Sequence, residues 1–170
     1  MNLKTALLSR RSIRKYSDRK IEKNKLENIL MYAKHAPTGR NNQGLKFYMI
    51  TNENVIKDLE EGLKKALDQK TYSLRGLKAF LLVMSDRNNP FNLVDTACAM
   101  MNIYYGAMEE GLGACWINQL KDTADSEYIR PILTRLGIEN NFICYGAMAL
   151  GYPDENPAPK ERTMYTEIIE

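Results

Sequence analysis

The sequence predicts an α+β fold, in which helices flank a single sheet. The chain has 170 residues, close to the usual size of one domain, and no repeat or Gly/Ser linker divides it. Segments with the hydrophobic period of an amphipathic helix are interspersed with short apolar runs typical of strands. Because the two kinds of segment alternate imperfectly, an α+β arrangement is favoured over a regular doubly wound sheet. We therefore expect one domain over residues 1–170.

The first half of the chain is expected to begin with two helices, at residues 3–9 and 23–35. The second of these has an apolar stripe at helical spacing, with Lys, Glu and Asn on the opposite side. Residues 37–44 contain Pro, Gly and Asn and are predicted to form a loop. A strand at 45–51, rich in aromatic and branched residues, and an amphipathic helix at 54–67 follow.

The second half contains two strongly apolar strands, predicted at 79–85 and 142–150. Between them, residues 91–110 are expected to form a helix that is apolar on most faces, which is typical of a central helix or of a subunit interface. A short strand or extended turn is predicted at 114–117. A less regular helix, with a proline at its start or at a kink, is predicted at 125–136.

The tail, residues 151–170, holds three of the six prolines and no core of its own. Such a segment is either disordered or packs on another surface. Its last part is apolar enough to pack against a partner, through Met164, Tyr165, Ile168 and Ile169.

The composition excludes several kinds of site. One His and three Cys cannot supply the four closely spaced ligands of an ordinary zinc site. There is no Walker A motif, no G-x-S-x-G elbow and no paired-carboxylate constellation, so we predict no metal and no catalytic side chain. Chemistry without side-chain catalysts is typical of enzymes in which a cofactor reacts.

The N-terminal residues, the lengths of the apolar runs and the cysteines indicate the cellular compartment. The N-terminal residues are polar and basic, without the apolar region of a signal peptide, and no apolar run approaches the roughly 20 residues that span a bilayer. Cys98, Cys115 and Cys144 each lie in apolar surroundings, and an odd number of such cysteines is typical of reduced thiols. We therefore expect a cytoplasmic protein with no membrane contact.

Positive charge is concentrated near the N-terminus. Residues 1–23 hold eight basic and two acidic residues, although the whole chain has a net charge of only +3. Arg10 and Arg14 are four residues apart, so on a helical turn they would share one face and suit a phosphate dianion. A solvated basic surface or a contact with nucleic acid would explain the same charges.

Three further segments offer ligand contacts. The loop at 37–43 has donors and acceptors that suit a polar heterocycle or, equally, an ordinary turn. In the tail, Lys160 and Arg162 point to the same side if the chain is extended. The small residues of 111–117 allow close approach to the backbone, but the third Gly of a dinucleotide-binding fingerprint is missing.

Taken in order, these four segments resemble the nitroreductase family of FMN-dependent oxidoreductases. Arg-Arg-Ser-Ile-Arg-Lys-Tyr at 10–16 is similar to the opening phosphate-binding motif of that family, and Ala-Pro-Thr-Gly-Arg-Asn-Asn-Gln at 36–43 to its Ala-Pro-Ser-x-x-Asn-x-Gln-Pro loop. Gly-Leu-Gly-Ala-Cys-Trp-Ile at 111–117 resembles the stretch that passes the isoalloxazine ring. Leu-Gly-Tyr-Pro at 150–153, followed by Lys-Glu-Arg at 160–162, resembles the closing element.

The resemblance implies an FMN site between two subunits. The phosphate, the ribityl chain and part of the ring edge would be bound by the opening motif, namely Arg10, Arg11, Ser12 and Arg14. The tail would close on the phosphate with Lys160 and Arg162. The second subunit would set its loop against the flavin through Pro37, Thr38 and Gly39. Asn41 and Gln43 would support that loop or touch the flavin. Backbone groups that approach N5 and O4 of the ring would come from Ile117, Asn118 and Gln119.

The resemblance also implies a nitroreductase-like fold, with a central, mostly antiparallel or mixed sheet flanked by helices, in an intertwined homodimer. The helix at 91–110 would form the dimer core, and the tail, about 152–170, would wrap the partner. NADH or NADPH would pass hydride to flavin N5, and a nitroaromatic, quinone or flavin acceptor would take it in a ping-pong reaction. The alternatives are other flavin chemistry on this fold (reductive dehalogenation, flavin destruction or a dehydrogenase step) and a basic protein that binds nucleic acid.

The sequence departs from the family pattern in the loop and in one connection. Gly39 and Arg40 stand where small polar residues are usual, and Gly44 stands where Pro is usual. Arg40 adds a positive charge near the predicted substrate face, which would favour acidic substrates. The segment 68–76 is short, and we assign no flavin-contacting residue to it.

Overall fold

The structure, a computed structural model, describes residues 2–170. The described part of the chain contains four strands, β1 Leu45–Ile50, β2 Ala79–Asp86, β3 Gly113–Ile117 and β4 Phe142–Gly151. It also contains six α-helices, α1 Leu3–Ser9, α2 Lys23–Lys34, α3 Glu53–Ala66, α4 Asn92–Glu109, α5 Leu120–Thr123 and α6 Arg130–Arg135. The predicted α+β class is confirmed.

The four strands form one sheet in the order β1-β2-β4-β3. Each of the three pairings is antiparallel, so of the two arrangements that we expected, antiparallel or mixed, the sheet adopts the first. β2 lies inside the sheet, with Leu82 opposite Tyr48 of β1 on one side and Ala147 of β4 on the other. The register along β2 and β4 shifts between Val83 and Met84.

Helices cover both faces of the sheet, and this explains the unbroken apolar run at residues 79–84 of β2. Successive side chains of a strand point to opposite faces. Phe80 and Leu82 pack in a core that also contains residues of α3, α5 and α6. Leu81 and Val83 pack in a second core with residues of α2 and α4. Neither face of this run is exposed to water, which is why residues 79–84 are all apolar.

The helix α4 packs one face on the sheet, although its sequence is apolar nearly all round. Met100 and Ile103 are fully buried in the second core. Leu93 and Val94, at the start of the same helix, are exposed, and so are Leu7 and Leu8 of α1. Within one chain, α1 and α4 thus leave apolar surface in contact with water.

The segment after α1 runs beside the edge of the sheet and links the two ends of the chain. The N–H of Ile13 donates to the carbonyl of Ala114 in β3 at 2.9 Å, and the N–H of Ser17 donates to the carbonyl of Tyr152 at 2.9 Å. The approach is close enough to need glycine at position 113, because a Cβ there would lie 2.7 Å from Cγ2 of Ile13. This contact sets the opening motif next to β3.

The structure differs from the prediction mainly between β3 and β4. The helix expected at 125–136 is shorter, α6 Arg130–Arg135, with Pro131 in its first turn. A four-residue helix, α5, was not expected, because four residues are too few to show a hydrophobic period. Residues 158–170 are exposed and form no helix or strand. No helix among residues 2–170 is long and apolar enough to cross a membrane.

Candidate functional site

The opening motif lies in an extended segment and not on a helical turn. α1 ends at Ser9, and the backbone at Arg10 turns to φ −53° and ψ 126°. The expectation that Arg10 and Arg14 share a helical face is therefore wrong. Residues 10–15 form no helix, so helical spacing does not describe how their side chains are arranged.

The hydroxyl of Tyr104 in α4 joins this segment to β3. It lies 3.1 Å from Oγ of Ser12, and it accepts a hydrogen bond from the N–H of Trp116 at 2.9 Å. The guanidinium carbon of Arg10 lies 4.9 Å from the centre of the Tyr104 ring. A buried tyrosine thus contacts two residues of the opening motif and the backbone of β3.

Two cavities lie along the opening motif. The Arg11 cavity, about 280 Å³, is lined by Arg11 and Ile13, by the end of α4 and the start of β3, and by Pro153, Glu155, Asn156 and Pro157 of the tail. The Arg14 cavity, about 380 Å³, is lined by Arg14, by residues of the 69–75 connection and by residues 115–119. Among the predicted site residues, the Arg14 cavity brings together Arg14, Ile117 and Gln119. Asn118, between the latter two, is exposed.

The 69–75 connection supplies site residues that the sequence did not identify. Tyr72 and Arg75 line the Arg14 cavity together with Gln69, Thr71 and Ser73. Arg75 has a left-handed backbone conformation, with φ 63°, and its N–H donates to Oγ of Ser73 at 2.9 Å. The segment has no helical or strand period, so only the folded chain shows that it borders the cavity.

The Arg14 cavity is positively charged. Two guanidinium groups line it, those of Arg14 and Arg75, and no carboxylate does. Burial raises the pKa of the Cys115 thiol, and the two arginines only partly oppose this shift. Burial likewise raises the pKa of Tyr72 to about 12. Both groups are therefore protonated at neutral pH, so Cys115 is not a ready nucleophile, and the cavity suits an anionic or electron-rich ligand.

The arginines of the opening motif are available to a ligand. Within residues 2–170, no carboxylate forms an ion pair with the side chain of Arg10, Arg11 or Arg14. Nη1 of Arg11 donates to the carbonyls of Leu8 and Arg10, whereas its Nε is buried without a partner. A buried N–H without an acceptor is costly in a folded protein. These groups therefore fit a phosphate.

The loop after α2 is held by buried polar groups that the sequence analysis missed. The N–H of Gly39 donates to Oδ1 of Asp95 at 2.7 Å, and Nδ2 of Asn89 donates to the other oxygen of Asp95 at 3.1 Å. Oδ1 of Asn89 in turn accepts from Nδ2 of Asn42 at 2.9 Å. A buried Asp at the start of an apolar helix is a sequence signal that points to such a role.

Close packing explains why glycine replaces a polar residue at position 39. A Cβ there would lie 2.3 Å from Cγ of Phe91. Arg40, Asn41 and Gln43 all have positive φ, between 51° and 54°, and Gln43 is tied back by bonds to Thr38 and Asn41. Within one chain the loop lines a different cavity, through Thr38 and Gln43, and Pro37 is exposed. The structure thus does not bring the loop to the Arg14 cavity of its own chain.

Only the first residues of the tail approach the opening motif. A carboxylate oxygen of Glu155 accepts hydrogen bonds from the backbone N–H groups of Arg14 and Lys15. Lys160 and Arg162 lie farther along, in the exposed part of the tail. The structure does not place these two residues beside the arginines of the opening motif. Among the described residues, no group of three or more His, Cys, Asp or Glu side chains could hold a metal ion.

Three comparisons with known proteins bear on this site. A solved FMN-bound nitroreductase from Bacteroides fragilis is 29% identical, with a TM-score of 0.89 over 100% of both chains. A structure from Desulfovibrio desulfuricans, described as a nitroreductase in complex with FMN, is 25% identical, with a TM-score of 0.81 over 100% of this chain and 99% of that one. A protein of Archaeoglobus fulgidus, provisionally named NADH dehydrogenase/NAD(P)H nitroreductase, is 28% identical over 154 residues, which are 88% of this chain and 84% of that protein.

The family is shown by a match to most of the chain. A family model described as Nitroreductase family matches residues 7–152, a range that includes the opening motif, the loop, the Arg14 cavity and the whole sheet. The chain belongs to the nitroreductase family.

Proposed function

We propose that this protein is an FMN-dependent oxidoreductase that transfers hydride from NADH or NADPH to a small acceptor. The observation that carries the proposal is the Arg14 cavity, with two arginines and no carboxylate in its lining, next to the opening motif. The similar chain from Bacteroides fragilis has FMN bound.

The residues of the opening motif fit the phosphate end of FMN, and those of the Arg14 cavity fit its ring. Its phosphate is a dianion, and Arg10, Arg11 and Ser12 supply guanidinium and hydroxyl donors, including the buried Nε of Arg11 that lacks a partner. In the Arg14 cavity, Arg14 and Arg75 face a region that would receive the polar edge of the ring. Backbone groups of residues 117–119 would border the ring. We infer that Lys160 and Arg162 reach the phosphate only when the tail is folded onto a subunit.

The reaction needs no catalytic side chain from this protein. FMN, when bound, supplies the chemistry, because its ring accepts and donates hydride. Arg14 and Arg75 would stabilise negative charge that develops on the polar edge of the ring. Tyr72 and Trp116 would keep water away from one side of the cavity, and the protonated thiol of Cys115 adds no charge. The donor and the acceptor would bind in turn in the same place, which leads to ping-pong kinetics.

We propose that two copies of the chain form the site. The loop held by Asp95 lines no part of its own Arg14 cavity, and the exposed apolar residues of α1, α4 and the tail need cover. A homodimer would complete the Arg14 cavity and cover the exposed apolar residues. Pro37, Thr38 and Gly39 of one copy would lie against the flavin of the other, and Asn41 and Gln43 would support that loop.

We also propose the cytoplasm as the compartment of this protein, because Cys98, Cys115 and Cys144 are free thiols.

Stepwise reduction tests the proposal. The protein is loaded with FMN and kept anaerobic, and NADH or NADPH is added while the flavin absorbance is followed. The expected result is bleaching by at least one of the two donors, followed by recovery of the absorbance when a quinone or a nitroaromatic compound is added. If neither donor bleaches FMN-loaded protein, hydride transfer from a nicotinamide is not its reaction.

A further inference from the structure

The hydroxyl of Tyr104 is a buried group with two polar neighbours and an assignable proton. Tyr104 is 5% exposed. The N–H of Trp116 has only a donor to offer, so at 2.9 Å the tyrosine oxygen accepts. The tyrosine O–H must then find its own acceptor, because a buried hydroxyl proton without one is costly. Within residues 2–170, Oγ of Ser12, at 3.1 Å, is the hydrogen-bond partner left for it.

The direction of this bond determines what Ser12 can do. If Tyr104 donates to Oγ of Ser12, the serine hydroxyl proton is free to point away from the protein. Such a hydroxyl donates to an anion, and a hydrogen bond to a charged acceptor is about twice as strong as one between neutral groups. If Tyr104 did not donate, Ser12 would donate to it and would offer an anion only its lone pairs.

The same side chain also holds the neighbouring arginine. The guanidinium of Arg10 lies over the Tyr104 ring at 4.9 Å, a distance at which a cation and an aromatic face attract each other. Ring and hydroxyl thus contact two residues of the opening motif, and the bond to Trp116 fixes the tyrosine relative to β3. Ser12 and Tyr104 are 92 residues apart in sequence, so these contacts form only in the folded chain.

We propose that Tyr104 is a positioning residue that directs the Ser12 hydroxyl toward the phosphate of the cofactor and thereby favours FMN over riboflavin. This inference rests on the proposed function and adds the origin of the phosphate preference to it. Riboflavin has the same ring and ribityl chain but no phosphate. If Tyr104 acts through Ser12, it contributes to the binding of FMN but not to that of riboflavin. If it merely supports the fold, it contributes equally to the binding of both flavins.

The test compares two flavins on one conservative variant. Tyr104→Phe removes the hydroxyl and keeps the ring under Arg10. Dissociation constants for FMN and for riboflavin are measured by quenching of flavin fluorescence, in the wild-type protein and in the variant. We expect the constant for FMN to rise about five- to twentyfold and the constant for riboflavin to stay within about twofold. Tyr105→Phe, at the next position of α4, is the matched control and should change neither constant.

Two serine variants test the same proposal independently of Tyr104. Ser12→Ala should reproduce the selective loss of FMN affinity, and Ser12→Thr, which retains a hydroxyl, should restore most of it. In Ser12→Ala, the additional change Tyr104→Phe should have little further effect on the dissociation constant for FMN, because Tyr104 acts through the hydroxyl of Ser12. This part of the test remains decisive if Tyr104→Phe does not fold.

The outcomes separate the two proposals. Wild-type protein that binds neither flavin overturns the proposed function and, with it, this inference. Wild-type protein that binds FMN, with Tyr104→Phe weakening FMN and riboflavin equally or leaving both unchanged, overturns the role of Tyr104 alone. Unchanged FMN preference in Ser12→Ala overturns it as well.

Discussion

The carboxylate of Asp95 accepts a hydrogen bond from the backbone N–H of Gly39, with 2.7 Å between oxygen and nitrogen. The two residues are 56 positions apart, and the bond fastens the loop after α2 to the first turn of α4. Asp95 is buried, and its second oxygen accepts from Asn89. A buried carboxylate without a cation is stable only when such donors surround it, so the loop and the helix depend on each other.

Removal of this carboxylate should destabilise the protein. Asp95→Ala leaves the N–H of Gly39 without its acceptor and leaves Nδ2 of Asn89 with only the hydroxyl of Ser85. An unsatisfied buried donor costs about 1–3 kcal/mol. We expect a decrease of about 2–4 kcal/mol in the free energy of unfolding, measured by urea denaturation. The control Asp122→Ala removes an exposed carboxylate and should cost less than about 0.5 kcal/mol. Equal effects of the two variants would contradict the role of Asp95.

The loop should tolerate a methyl group at Gly44 but not at Gly39. In Gly39→Ala, the new Cβ would overlap the Phe91 ring, and such overpacking costs about 1–3 kcal/mol. In Gly44→Ala, the nearest atom is 3.4 Å away, and the change in stability should stay below about 1 kcal/mol. Thermal unfolding of both variants checks the difference. A Gly39→Ala protein as stable as Gly44→Ala would show that the loop packs differently.

The two arginines of the Arg14 cavity should contribute to cofactor binding. Arg14→Gln and Arg75→Gln each remove a positive charge from a cavity without carboxylates, and each should weaken FMN binding about tenfold. Arg135→Gln, which changes an exposed arginine paired with Asp58, is the control and should not affect the affinity. Flavin fluorescence titration gives the three constants. If Arg75→Gln binds FMN as tightly as the control, the 69–75 connection does not contact the cofactor.

Thiol reactivity should report occupancy of the Arg14 cavity. Cys115 lines this cavity, whereas Cys144 is fully buried elsewhere in the core and Cys98 lies in α4. Saturating FMN should therefore slow alkylation of Cys115 and leave the rate at Cys98 unchanged. Cys144 should react only on unfolding, because burial raises the pKa of its thiol to about 12. Mass spectrometry of the alkylated peptides distinguishes the three sites, and an FMN-independent rate at Cys115 would argue against FMN in this cavity.

Alkaline conditions should weaken the fold. Burial raises the pKa of Cys144 from 9.0 and that of Tyr72 from 10.0, in both cases to about 12. Between pH 9 and 12 the unfolded chain therefore binds fewer protons than the folded chain, and the free energy of unfolding decreases as pH rises. The urea midpoint should be lower at pH 10.5 than at pH 8, with a smaller decrease in Cys144→Ala. A midpoint independent of pH over this range would contradict the burial of these groups.

The strands and long helices are predictable from sequence because their hydrophobic patterns are local. β2 and β4 are predominantly apolar, and α3 has a clear amphipathic period, so the structure matches these predictions closely. α5 is too short to show a period. The placing of Arg10 and Arg14 on one helical face is wrong, because the segment is extended and not helical.

The parts of the site that the sequence does not reveal depend on contacts between distant positions. The bond between Ser12 and Tyr104, the bond between Gly39 and Asp95 and the position of Arg75 in the cavity all arise from packing of separate elements. Of these residues, only Asp95 carries a local signal, as an acidic residue at the start of an apolar helix. Lys160 and Arg162 show the opposite situation. A sequence motif identifies them as candidate site residues, but in the structure of a single chain they are exposed.

An FMN titration of the purified wild-type protein, followed by absorbance and flavin fluorescence, tests whether the Arg14 cavity is a flavin site. We predict saturable binding at one FMN per chain, with a yellow protein and an affinity that falls in Arg14→Gln but not in Arg135→Gln. A protein that stays colourless with added FMN, or one whose affinity is the same in both variants, would contradict the assignment of the Arg14 cavity as a flavin site.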